Sequence, residues 1–350
     1  MQNEPENTQP NASSLATGPA VNQDKRTLPF SKWKPLLAGT VAGVALRLLF
    51  WGYPEPGPSL SAMMASFIYL VPFIVGMVTV YVAETKKRRS WKYYAWAGFL
   101  ANVVFVLGTL LIMVEGLICA VIIIPLFAAE GAVGGLVMGA VCRITHWPKQ
   151  TLYSFAALPL ILGMFETNVP LPERLSSIER TITISASPSE VWKQIHNARD
   201  IKPDEVKLAW AYRIGVPMPL AGITQQTSTG TVRKITMGKG VHFDQIAAES
   251  QENKYVRWTY RFYADSFPPR ALDDHVMIGG QYFDFKDTSY TLTPRGNATE
   301  LTIRVQYRVS TQFNWYADSV AQLLIGNVQE VLLNFYRHRS EAEQRANSVL

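Results

Sequence analysis

The chain has 350 residues, enough for two domains with cores of their own, and 33 Lys and Arg against 27 Asp and Glu give a net charge of +6. Charged residues thin out between residues 35 and 165, and much of the basic excess lies in short runs beside apolar segments. That placement argues against a nucleic-acid footprint, which needs a basic stripe on a folded face, and for membrane orientation. Both cysteines, Cys119 and Cys142, fall in the apolar half, so the C-terminal half holds no disulfide, cysteine nucleophile or thiolate metal site.

Residues 1–30 are rich in Asn, Gln, Pro, Ser and Thr and read as a disordered tail. Residues 31–168 read as an all-α transmembrane bundle of about five helices, with apolar runs at 35–53, 59–83, 93–114, 117–142 and 151–165. About 20 apolar residues suffice for a crossing. Basic residues precede the first run and fill the second connection (Lys86–Arg89) and the fourth (Arg143, Lys149), while the other two connections carry only Glu55 and Glu115. Under the positive-inside rule the basic connections are cytoplasmic. Five crossings of a bacterial inner membrane then place the C-terminal domain in the periplasm; a re-entrant 117–142 or an interfacial 151–165 would reverse its side. Arg47, Glu115 and Glu130 lie in or beside apolar runs, where charge is costly. The plainer reading makes Glu115 a loop residue and lets Arg47 snorkel or pair with a neighbouring span. Glu130 sits beside Gly131, Gly134 and Gly135, which permit close helix packing or a break.

Residues 169–350 read as an α+β domain. Ile178, Ile182 and Ile184 alternate with polar residues as in a half-buried strand. Ser187 then caps a helix with Pro188 in its first turn and Glu190 completing a capping box. Residues 199–225 read as irregular. Strands follow at Thr229–Met237, Val241–Ala248, Tyr255–Tyr263, Gln281–Leu292 and Leu301–Val309, the last two joined by a turn at Pro294–Asn297. A long helix closes the chain from about Asn314 to Glu343, its apolar positions recurring at helical spacing with Asn327 as the polar exception.

The wording Ile182-Thr-Ile-Ser-Ala-Ser-Pro-Ser-Glu-Val-Trp192, followed by a meander and a long terminal helix, resembles the helix-grip superfamily. That group includes START-like lipid-transfer domains and polyketide cyclase/dehydrase proteins. Tyr307–Thr311 and Asn314–Ala317 resemble its bacterial members with a membrane-spanning N-terminal half. The resemblance covers residues 175–345 or so. It implies a curved antiparallel sheet gripping the C-terminal helix around an apolar cavity for a lipid or lipid-like metabolite. No shared catalytic residue and no cofactor come with it. Expected partners are membrane lipids and a hydrophobic small molecule, with no nucleic acid.

On this reading the cavity wall comprises Phe243, Trp258, Tyr260, Phe262, Phe285, Tyr307, Asn327 and Val331. An aromatic stripe serves equally well as plain core. Asp273, Asp274 and His275 form the densest ionisable cluster, and Asp274 and His275 are the acid–base candidates should the domain be an enzyme acting on a hydrophobic substrate. His242 and Asp244 share a strand face, but two ligands do not make a metal site, and none is expected. A sensor or assembly role is the remaining alternative.

Overall fold

The computed structural model describes residues 30–51, 60–84, 88–145, 149–167, 169–228 and 230–349. The expected tail and the 54–58 turn lie outside these residues. Lys34–Leu350 pack as one unit.

The N-terminal half is helical. Helix α1 spans Phe30–Leu49, and a π-helical turn at Ser66–Leu70 leads into α2, Val71–Glu84. Helices α3 (Trp91–Leu111), α4 (Leu117–Ile144) and α5 (Lys149–Glu166) follow. Among the described residues three helices, Ser66–Glu84, Trp91–Leu111 and Leu117–Ile144, are long and apolar enough to cross a membrane, and α5 adds a shorter apolar segment, Phe155–Glu166. The run at 117–142 is therefore one continuous helix, not a re-entrant hairpin. Its glycines serve packing. A Cβ at Gly134 would strike the Phe73 carbonyl, and one at Gly131 the Asn102 side chain. Asn102 Nδ2 donates to the Pro72 carbonyl at 3.0 Å, a buried polar stitch between α3 and α2. Small residues of this kind let backbones approach where no hydrophobic drive exists between helices.

The C-terminal half is a curled antiparallel sheet around a long helix, the helix-grip architecture. Strand β1 (Glu173–Ile184) is followed by α6 (Pro188–His196), β2 (Asn197–Ala198), α7 (Pro203–Val206), α8 (Trp210–Arg213) and β3 (Pro219–Thr227). Strands β4 (Gly230–Met237), β5 (His242–Gln251), β6 (Tyr255–Arg261), β7 (Phe283–Arg295) and β8 (Ala298–Ser310) lead to α9, Asn314–Val349. The spatial order is β1-β8-β7-β6-β5-β4-β3-β2. Bulges in β3, β5 and β7 add to the curl. Along β8, Leu301, Ile303, Val305, Tyr307 and Val309 are buried against the concave side. Gly296, at φ +61°, makes the tight β7–β8 turn.

Two local expectations change. Ser187 does cap α6, its hydroxyl accepting from Glu190 N at 3.3 Å, but the capping box is not closed. Ser187 N–H instead donates to Gln344 of α9 at 3.0 Å, so the cap is tied to the far end of the terminal helix. The segment taken as irregular contains β3, whose Pro219 and Gly222 disguise its pattern.

The two halves share a seam. Phe313 sits in the apolar core of the bundle. Tyr316 OH donates to the Ile122 carbonyl of α4, and Trp315 Nε1 donates to Tyr69 OH at 2.9 Å. Asp273 accepts from Cys119 N at 2.9 Å, so the C-terminal domain caps α4, where Gly116 leaves room for its carboxylate.

Candidate functional site

A cavity of about 410 Å³ runs between sheet and α9, and its walls come from both halves of the chain. The bundle supplies Phe67, Phe105, Ile118, Ile122 and Phe127, among others. Helix α9 supplies a stripe at helical spacing, including Ala317, Ala321, Leu324, Val328, Leu332 and Phe335. The volume falls within the range of small-molecule sites, and the walls are mainly apolar, as such sites require.

Of the expected lining, Phe243, Tyr260 and Phe285 border the cavity. The other five stand elsewhere. Trp258 is fully buried beyond its deep end, 5.5 Å from the His196 ring. Phe262 is not on the wall; it stacks on Tyr260 and meets Phe243 at a tilt. Tyr307 OH donates to Asp318 Oδ1 at 2.8 Å, which pins α9 to β8. Burial and that hydrogen bond both push its phenol up from the ordinary range. Asn327 accepts from Trp210 N at 2.7 Å, and Val331 packs on the core. Alternation along a strand identifies a face but not a depth, and the concave face is core at one end and cavity at the other. The polar α9 residue on the wall is Gln329, which donates to the Ile178 and Ile303 carbonyls at 3.1 Å.

Polar groups gather at two places. At the bundle end, Arg47 Nε meets Glu115 Oε1 at 2.6 Å, both side chains nearly buried, and His275 Nδ1 lies 3.5 Å from the other oxygen. Burial alone would push the Glu115 carboxyl up, but the His275 hydrogen bond and the Arg47 charge outweigh it and hold the carboxyl below its ordinary value. Glu115 is thus no mere loop residue, and Arg47 pairs with it instead of snorkelling. Asp274 is exposed and outside the cavity, whereas His275 faces it.

Glu115, Cys119 and His275 bring potential ligand atoms within 4.8 Å of one another. The Arg47 guanidinium already pairs with one oxygen of that carboxylate, and His275 lies beside the other. His242 and Asp244 turn to different partners, Asp265 and Tyr263.

At the deep end, Arg233 of β4 lies only 5% exposed among Gln245, Tyr260, Thr288, Tyr290 and Tyr336. Gly222 of β3 makes room for it, since a Cβ there would lie 2.8 Å from Nη2. A charged residue in a strand ordinarily marks the solvent face. The one signal in the sequence was parity, because Arg233 falls in step with Ile235 and Met237, which also face the cavity.

No protein-family model matches the chain, and no curated protein does. Among solved structures, similarity extends to a Staphylococcus aureus protein of unknown function, at 13% identity and TM-score 0.33 over 49% of this chain and 98% of that one. A START superfamily protein from Mycobacterium smegmatis is 14% identical at TM-score 0.31, over 47% of this chain and 97% of that one. Truncated norcoclaurine synthase from Thalictrum flavum is 10% identical at TM-score 0.26, over 47% and 94%. At these values the functional reading rests on this chain's own geometry.

Proposed function

We propose that the protein is a membrane-tethered binding protein for a hydrophobic ligand, a lipid or lipid-like metabolite, held between sheet and α9. One observation carries the reading: the cavity's apolar wall is built jointly by the bundle and the domain. A ligand dissolved in the bilayer would then meet the cavity at high local concentration. The domain contacts Tyr69 and Ile122, near the starts of the Ser66–Glu84 and Leu117–Ile144 helices, whereas Arg88, Arg89 and Arg143 lie at or beyond the far ends of those helices. With the positive-inside rule this supports a domain outside the cytoplasm, in a bacterium the periplasm.

Native mass spectrometry of the full-length protein, with and without Ala321→Trp, tests the reading. Ala321 faces the cavity, and an indole there obstructs it. The wild type should retain about one hydrophobe per chain and the variant none, with annular lipid equal in both. Identical adduct patterns would sink the proposal. A second reading, an enzyme, has one observation in its favour, the His275–Glu115 pair facing the cavity. A carboxyl held below its ordinary value by the His275 hydrogen bond and the Arg47 charge is a weak general base, which favours the carrier.

A further inference from the structure

Arg233 is a buried cation without a counter-ion. Nη1 donates to Gln245 Oε1 at 3.5 Å and Nη2 to Tyr336 OH at 3.3 Å, while Nε has no partner. The guanidinium lies 6.0 Å from the Trp258 ring centroid. Its polar neighbours are all neutral, and no carboxylate among the described residues comes within ion-pair distance. Arginine cannot shed its proton to escape burial, as a lysine would, so the fold carries the cost of an uncompensated charge. Besides Arg233, the arginine and carboxylate side chains on the cavity wall are Arg47 and Glu115. Arg47 and Glu115 cancel at the bundle end. The surplus charge is therefore at the deep end.

The wall between the two ends is mainly apolar, with Gln329 as a polar member whose amide is spent on backbone carbonyls. Tyr336, which holds Arg233, and Tyr316, which touches α4, are twenty positions apart on one helix, so the deep end stands about 30 Å along α9 from the bundle. The geometry calls for an elongated molecule with one negative charge at its inner end and hydrocarbon towards the membrane. We propose that the cavity takes a long-chain carboxylic acid, its carboxylate on Arg233 beside Gln245, Tyr290 and Tyr336. A planar guanidinium suits a carboxylate, and a single surplus charge suits a monoanion. The proposal rests on the carrier reading and names its ligand class.

The test uses full-length protein in a non-ionic detergent, stripped of endogenous lipid. Binding is measured for palmitic acid at neutral pH, for hexadecanol as its uncharged counterpart, and for hexadecyl phosphate. Palmitate should bind the wild type at least tenfold more tightly than hexadecanol. Arg233→Met should abolish that preference while keeping hexadecanol, and Ala321→Trp should lose both. Equal binding of acid and alcohol by the wild type overturns the headgroup assignment and leaves the carrier reading standing. A tighter grip on hexadecyl phosphate overturns the choice of carboxylate. Failure of all three probes to bind the wild type, with Ala321→Trp indistinguishable from it, overturns both readings together. The wild-type comparison needs no substitution, so a poorly folding variant does not remove the test. Because Arg233→Met removes an uncompensated charge, the empty variant should melt above the empty wild type, and palmitate should raise the melting point of the wild type alone.

Discussion

His196 closes α6 with its Nδ1 3.0 Å from the Trp192 carbonyl and its ring against Trp192, at a centroid distance of 4.1 Å. Burial, more than any neighbour, lowers its pKa from 6.5 to about 4; the Trp192 carbonyl opposes the shift and the charge of Arg233 adds to it. The unfolded chain therefore binds more protons than the folded one between those values. Stability from the neutral ring is complete above pH 6.5 and is lost as pH falls towards 4, by up to about 3 kcal/mol. Thermal melts at pH 7.5 and 4.5 should differ accordingly, and His196→Gln should shrink the difference. An unchanged slope in the variant would assign the acid sensitivity to carboxylates instead. The same residue scale limited what the sequence disclosed. Arg47 and Glu115 are 68 positions apart, and nothing local joins them. Arg233 reads as a surface charge unless its parity with Ile235 and Met237 is followed.

At the scale of elements, periodicity served well where one face met one environment. Strands β4 to β8 and helix α9 fall within a few residues of their expected bounds, because alternation and the 3.6-residue stripe each report a buried face directly. Strand β3 escaped because Pro219 and Gly222 break the pattern, yet it pairs with β4 from Pro219 to Thr227 across a bulge at Leu220. The long apolar helices gave away their existence through composition but hid their contacts, since every face is apolar. Glycine is the exception to that silence. Gly134→Leu would drive a side chain into the Phe73 carbonyl, a backbone atom that cannot rotate aside. It should cost more than the roughly 1–3 kcal/mol of ordinary overpacking and strongly reduce monodisperse protein in detergent. Gly108→Ala is the control, because only Val44 comes near, at 3.7 Å, and it should be neutral or slightly stabilising. Equal behaviour of the two variants would refute the packing role of Gly134.

For the whole molecule, the side of the membrane is a matter of charge and connection. In a Cys119→Ala, Cys142→Ala background, a cysteine replacing exposed Glu252 should react with an impermeant maleimide in spheroplasts, and one replacing Arg88 only after lysis. The reverse pattern would place the domain in the cytoplasm. The shared seam bears on more than topology. Two bodies that wall one cavity cannot be pulled apart without opening it. By reciprocity, any occupant that tightens the docking of domain on bundle is itself tightened by that docking, by the same factor. Lateral tension or a change in bilayer thickness that strains Tyr316 against α4 or Asp273 against the start of that helix would be felt inside the cavity as a weaker grip. On the carrier reading proposed above, loading and release would thereby be coupled to the mechanical state of the membrane.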